Sequence, residues 1–161
     1  MRIVTTAERG KFKEEINTAL YKSAEIKELL LGDISGISQS KIRTEFQKYV
    51  KSHLFIDDTI TETKTFIFYD ILIPHAYSSI KECKVVMYVI CHLDILDNYV
   101  KDGYYGNRAD ILSQMIENVL INDFEKSNNF GIGRLKLDSV SPYNSKHFYG
   151  CIMEFDVPNF R

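Results

Sequence analysis

The chain has almost no net charge: 20 Lys and Arg stand against 22 Asp and Glu, a formal −2 over 161 residues. With no basic field, nothing long-range draws it as a whole to nucleic acid or to an anionic membrane surface. It has no long apolar run. The longest, Val85 to Cys91, is seven residues, against the roughly 20 that a membrane helix needs. The stretch from Met1 to Arg9 carries an early charge and no apolar core, so no secretory signal is expected. Cysteine is scarce. Cys83, Cys91 and Cys151 cannot pair completely, and each lies in an apolar context, which points to buried free thiols in a reducing compartment. A soluble protein made inside a cell is the expectation.

Motifs that announce chemistry are also missing. There is no Gly-x-Ser-x-Gly elbow, no Cys-x-x-Cys and no His-x-x-x-His. Gly131-Ile132-Gly133 lacks a third glycine, because Lys136 stands there, and it precedes an expected strand; a dinucleotide turn needs a helix after it. Cys83 and Cys91 on one extended strand would sit about 26 Å apart, too far to share a zinc ion. His53 and His147 lie in polar contexts and read as surface residues. No cofactor and no metal are expected.

What is present is an ordinary globular composition, 45% apolar and 26% charged, without repeats, low-complexity tracts or a dividing linker. A single domain over 1–161 is expected, with a helical region over 1–60 ahead of a β-β-α-β-β core over 61–161. Phe12, Ile16, Ala19 and Leu20, then Ile26, Leu29 and Leu30, recur at helical spacing, with a break at Ser23, which can cap a second helix. Ser40 to His53 is a further amphipathic segment. Asp57-Asp58 marks a turn, and the period changes to that of strands: Thr65–Ile73 is rich in β-branched and aromatic residues, Pro74–Ser79 is a loop, and Lys84–Asp94 is apolar enough for a central strand covered on both faces. These two read as an antiparallel hairpin. Asn107 stands at an N-cap with Asp110 three residues on, opening a helix through Ile111, Leu112, Met115, Ile116, Val119 and Leu120; Asn128–Gly133 breaks it. Arg134–Val140 reads as a strand, Ser141–Ser145 as a turn and Tyr149–Val157 as the last strand. The class is α+β: an antiparallel or mixed sheet with one amphipathic helix on a face, plus N-terminal helices.

Two sets of residues invite a functional reading. Asp70, followed by Glu82-Cys83-Lys84, matches the acid-then-Glu-x-Lys pattern of metal-dependent nucleases, in which two acids hold a divalent ion and a lysine steadies the attacking water. Against it stands the bland reading, a solvated strand start facing an alternating strand, and no Lys/Arg cluster accompanies it to hold phosphates. The second set is the Tyr-rich connection Asp97–Gly106. Tyrosines on exposed loops are frequent contact residues, and tyrosines lying over their own core edge are the competing reading.

The segment from Thr65 onward resembles the tail terminator (tail-completion, or neck) proteins of tailed bacteriophages. The likeness rests on Phe66-Ile67-Phe68-Tyr69-Asp70-Ile71-Leu72-Ile73-Pro74, on a strand ending Cys91-His92-Leu93-Asp94, on Asn107-Arg108-Ala109-Asp110 opening the helix, and on the closing strands Leu135–Val140 and Tyr149–Val157. It implies a non-enzymatic structural subunit of the virion, assembled in the host cytoplasm. Copies would form a ring, a homohexamer, that caps the tail tube and meets the head-side connector, with DNA only passing through the lumen and no membrane involved. Residues 1–60 exceed the compact pattern. Another head-tail connector, stopper or neck adaptor is the alternative within the same particle, and an intracellular binding module is a further one. A closed ring needs two different complementary surfaces on each subunit. The residues assigned to them are Asp57, Asp58, Tyr99, Lys101, Asp102, Tyr104, Tyr105 and Arg108. Near-neutral charge suits dense packing of identical copies.

Overall fold

The computed structural model describes residues 6–57, 59–73, 83–123 and 135–157. Three helices come first. In α1 (Thr6–Lys22), Phe12, Ile16 and Leu20 fall four apart and bury one stripe. Ser23 does end it: its Oγ accepts the Ile26 N–H at 3.2 Å and caps α2 (Ala24–Leu31). Gly32, at φ 78°, closes α2, its N–H donating to the Glu28 carbonyl at 2.8 Å. Ser38 caps α3 (Gln39–Tyr49).

Here the chain departs from expectation. The amphipathic pattern runs on to His53, but the helix stops at Tyr49 and Val50-Lys51 turns extended as β1, pairing parallel with Ile67 and Phe68. A β-branched residue loses little by leaving a helix, and the free edge of the next strand offers it hydrogen bonds.

The hairpin forms as expected: β2 (Thr65–Leu72) runs antiparallel to β3 (Cys83–His92), with Ile67 opposite Val89 and Tyr69 opposite Met87. β3 is central and nearly all of it is buried. The expected loop over Pro74–Ser79 and the break over Asn128–Gly133 lie outside the described residues. A single 3-10 turn, Leu93–Ile95, comes after β3. Asn107 then caps α4 (Arg108–Glu117) in a complete capping box: Asn107 Oδ1 accepts the Asp110 N–H and Asp110 Oδ2 accepts the Asn107 N–H, both at 3.0 Å. One π-helical turn, Asn118–Asp123, extends it.

The closing pair is β4 (Lys136–Asn144) and β5 (Phe148–Val157), giving a mixed five-stranded sheet in the order β1-β2-β3-β5-β4. The turn expected at Ser141–Ser145 is in fact strand as far as Asn144, with Pro142 opposite Cys151. Pro142 is tolerated because β4 is an edge, where a missing N–H costs no ladder bond. The turn falls at Ser145–His147, where the Ser145 N–H donates to the Phe148 carbonyl.

Two clusters hold the layers. On one face Ile67, Tyr69 and Ile71, Val85, Met87 and Val89, and Met153 and Phe155 pack against the stripes of α1, α2 and α4. On the other, Tyr49, Phe66, Phe68, Ile90 and Phe148 form an aromatic cluster roofed by Leu54, Ile56 and Ile60 of the segment after β1. The sheet is thus a middle layer, which is why β2 and β3 show little hydrophobic–polar alternation. Gly150 sits opposite Ile90 in β5, and a Cβ there would stand 1.8 Å from the Val89 carbonyl oxygen.

Candidate functional site

The connection from Asp97 to Asn107 is fixed at both ends by side chains. Arg108 holds its start: Nε donates to the Ile95 carbonyl at 3.2 Å, one terminal nitrogen to the Leu29 carbonyl at 3.2 Å and the other to Asn98 Oδ1 at 3.0 Å. Its guanidinium also lies 4.8 Å above the Tyr99 ring. The Leu29 carbonyl belongs to the last turn of α2, where a cation meets the negative end of the helix. Gln114 clasps the other end, accepting from the Tyr105 N–H at 3.2 Å and donating to the Tyr105 carbonyl at 2.6 Å. Between them, Tyr104 Oη donates to Glu25 at 2.9 Å and Lys101 Nζ reaches Glu28 at 3.2 Å. The Tyr99 hydroxyl is buried without a hydrogen-bond partner among the described residues.

The residues assigned to contacts therefore divide. Tyr99, Lys101, Tyr104 and Arg108 bind the loop to α2 and α4, with both tyrosines packed against the main core. Asp102 and Tyr105 face solvent, Tyr105 at 79% exposure, and beside them stands Val100 at 89%, an apolar residue that no sequence pattern singles out. Asp57 is exposed and accepts from the Thr59 N–H and hydroxyl at 2.9 and 2.8 Å, bonds that hold its carboxyl below the usual range. Asp58 lies outside the described residues. Phe55, at 72% exposure, is a second projection absent from the assigned set. Leu54 and Ile56 on either side turn inward to the aromatic cluster and leave Phe55 projecting; three apolar residues in a row give no alternation from which to read this.

This loop forms one lip of an open groove of about 1010 Å³ at the end of the sheet. Tyr99 and Arg108 stand on that side, Leu30, Ile34 and Ile37 on another, and Thr63-Lys64-Thr65 on a third. An adjoining pocket of about 80 Å³ shares the apolar lining and adds Lys41 and Tyr49. No sequence pattern marks this groove, since three separate segments converge to make it.

Of the acid-Glu-x-Lys residues, Asp70 and Lys84 lie in ion pairs. Asp70 accepts from Lys13 Nζ at 2.9 Å and from the Arg9 guanidinium, whose Nε also donates to the Ile71 carbonyl at 2.7 Å. Burial raises the Asp70 carboxyl, and Lys13, the Ile71 N–H and Arg9 more than offset it, leaving it below the usual value. Lys84 reaches Asp156 at 3.6 Å and Asp138 at 3.8 Å. Glu82 lies outside the described residues. Among the described residues, no group of three or more His, Cys, Asp or Glu is arranged to hold a metal ion. The three cysteines are free and buried, as their apolar contexts imply, and burial pushes the Cys83 thiol up to about 12. His53 is exposed and tilted over Phe68, ring centres 5.9 Å apart; His147 is half-buried and stacks on buried His92 at 6.1 Å.

Both sheet edges are guarded. β4 has no strand on its outer side among the described residues, and it carries Pro142, the charges of Lys136 and Asp138, and a register shift between Leu137 and Ser139, the devices that discourage strand addition. At the far edge, β1 covers Ile67 and Phe68, and Arg9 takes the Ile71 carbonyl.

A family model described as YomW matches residues 14–157, most of the chain and all of the described sheet. No curated protein matches the sequence. No helix among the described residues is long and apolar enough to cross a membrane.

Proposed function

The chain belongs to the YomW family, a phage-derived, SPbeta-like prophage family, and from that premise we propose that it is a non-enzymatic structural protein of the phage particle, a tail terminator whose copies form a ring joining the tail tube to the head-side neck. The observation that carries the reading is the contrast among the three most exposed large apolar side chains, Val100, Tyr105 and Phe55; Ile37, Leu72, Leu93 and Val140 are exposed to a smaller degree. Phe55 stands on the segment roofing the aromatic face, whereas Val100 and Tyr105 stand on a loop packed against the helix-face cluster. A ring that closes by rotation needs two unlike surfaces on each copy, and these are unlike in position and composition. Side chains carry the contact, because both strand edges are blunted. Asp70 and Lys84 of the nuclease-like pattern are engaged in holding α1 to β2 and β3 to Asp156 of β5 and Asp138 of β4, which supports work done by shape.

Light scattering on the purified chain, eluted over a range of concentrations and again in the presence of tail tubes of the encoding phage, tests this. The reading expects a discrete closed species of several copies, six by the resemblance. A chain that stays monomeric in both settings overturns it.

A further inference from the structure

We infer that the junction of the three N-terminal helices is a phosphate-binding site, in which Lys27 of α2 and Arg43 of α3 take the oxygens of the anion. The inference stands apart from the ring reading and needs no second copy of the chain. Tyr21, in the last turn of α1, is the centre of the site. The Lys27 ammonium lies 4.7 Å from the middle of its ring and the Arg43 guanidinium 4.6 Å, so the two positive charges stand less than about 10 Å apart. Phe46 of α3 meets the same ring edge-on at 5.2 Å, and the Tyr21 hydroxyl leans on Gln39 Oε1 at 3.5 Å. Of these residues only Gln39 also lines the groove at the end of the sheet.

The charges around the ring do not cancel. Glu25 accepts from Tyr104, Glu28 pairs with Lys101, Glu45 with Lys48, and Asp33 accepts from Ser35. Glu14 and Glu15 stand nearly two turns back along α1, about 9 Å or more of rise from Tyr21. Among the described residues no carboxylate lies within ion-pair distance of Lys27 or Arg43, and neither side chain donates a hydrogen bond. Elsewhere the cations are engaged: Arg9 and Lys13 hold Asp70, Lys84 faces Asp138 and Asp156, and Arg108 is spent on carbonyls. Exposed Lys22, next along the chain, adds to the positive sign. Two like charges gathered on one ring repel each other, and an anion between them removes the repulsion. A phosphate group fits that place better than a carboxylate does. Its charge of roughly −1.5 to −2 answers both cations, and its oxygens suit a planar guanidinium fork and a point-like ammonium together. With both cations over the ring and Phe46 against it, little of Tyr21 is left as a platform for a nucleobase. The group recognised is therefore the phosphate itself, free or carried on a nucleic-acid backbone. The chain's net charge of −2 supplies no long-range pull, so these two side chains set the binding.

The experiment follows amide NMR shifts of the full chain as inorganic phosphate is added, with ionic strength held constant by chloride, and repeats the titration with a short duplex DNA. The double variant Lys27→Gln, Arg43→Gln is compared with Lys136→Gln, Lys146→Gln, which removes the same charge from two other exposed positions; circular dichroism checks each fold. The wild type is expected to bind phosphate saturably, with shifts confined to the end of α1 and the starts of α2 and α3. The Lys27, Arg43 variant is expected to bind at least about tenfold more weakly, the scale of a lost charged hydrogen bond, and the control pair to bind as the wild type does. DNA that competes with phosphate and shows a log–log salt slope near about −1.8, the value for two backbone contacts, assigns the site to nucleic acid; phosphate binding without DNA binding assigns it to a free or small-molecule phosphate. Both uphold the site. The absence of a saturable shift in the wild type overturns it, and so does an equal loss in both double variants, which would make binding a matter of total charge. If the Lys27, Arg43 variant loses its helical signal, Arg43→Gln alone, at an exposed position, takes its place, and unchanged phosphate affinity in that variant overturns the proposal.

Discussion

Individual side chains make demands here that can be measured one at a time. Gly150 is set by the close approach of β3: any Cβ collides with the Val89 carbonyl, a backbone atom that cannot swing aside. Gly150→Ala is expected to cost about 3 kcal/mol, the upper end of overpacking penalties, read as a lowered denaturation midpoint; a change under about 0.5 kcal/mol would show that the strands have room to part. Asp70 makes a prediction in pH. An unfolded aspartate takes up its proton near 3.9, whereas the folded one, held by Lys13 and Arg9, keeps its charge to lower pH. In that window the unfolded chain binds more protons, so the stabilisation is complete above about pH 4 and drains away as pH falls through the folded value. Asp70→Asn is expected to lower stability at pH 7 by about 1.5 kcal/mol, as loss of hydrogen bonds to a charged group does, and to flatten the acid limb. An unchanged limb would mean that the ion pairs do not form in solution.

At the level of elements, Arg108 is the clearest case. Through three side-chain hydrogen bonds to three segments it joins the 3-10 turn, α2 and the tyrosine loop. Arg108→Ala is expected to destabilise the fold by about 2–3 kcal/mol and to speed amide exchange across residues 97–107 first. Arg108→Lys should not restore it, since an ammonium cannot reproduce the planar fork. Tyr99→Phe, by contrast, removes a hydroxyl that has no partner among the described residues and should be neutral within about 0.5 kcal/mol. Elements whose signals are local are legible in the sequence: the Ser23 break, the Asn107–Asp110 box, the β2–β3 hairpin and the buried β3. Elements decided by neighbours far along the chain are not. Val50 leaves its helix because β2 offers an edge, and Pro142 stays in a strand because no strand lies outside β4 among the described residues; neither fact is written near those residues. The same holds for the site. The tyrosine loop is visible as a polar, aromatic stretch, but which tyrosines bind inward depends on Glu25, Glu28 and Gln114, and the groove exists only where α2, the start of β2 and the loop come together.

The whole molecule is a sheet with a helical layer on one face and an aromatic, loop-roofed layer on the other, blunted at both edges and carrying unlike apolar projections on its two sides. Such an architecture resists strand-to-strand aggregation while leaving side-chain surfaces for ordered association, the combination a ring subunit of a phage neck needs. Asp102 and the Asp57 segment give it charge at those projections without raising its net charge far from zero. The most direct test is electron microscopy of tail tubes from the encoding phage, incubated with the purified chain and imaged end-on and side-on. A closed ring of subunits seated on one end of each tube is the predicted result, and bare tubes beside free monomers would contradict it.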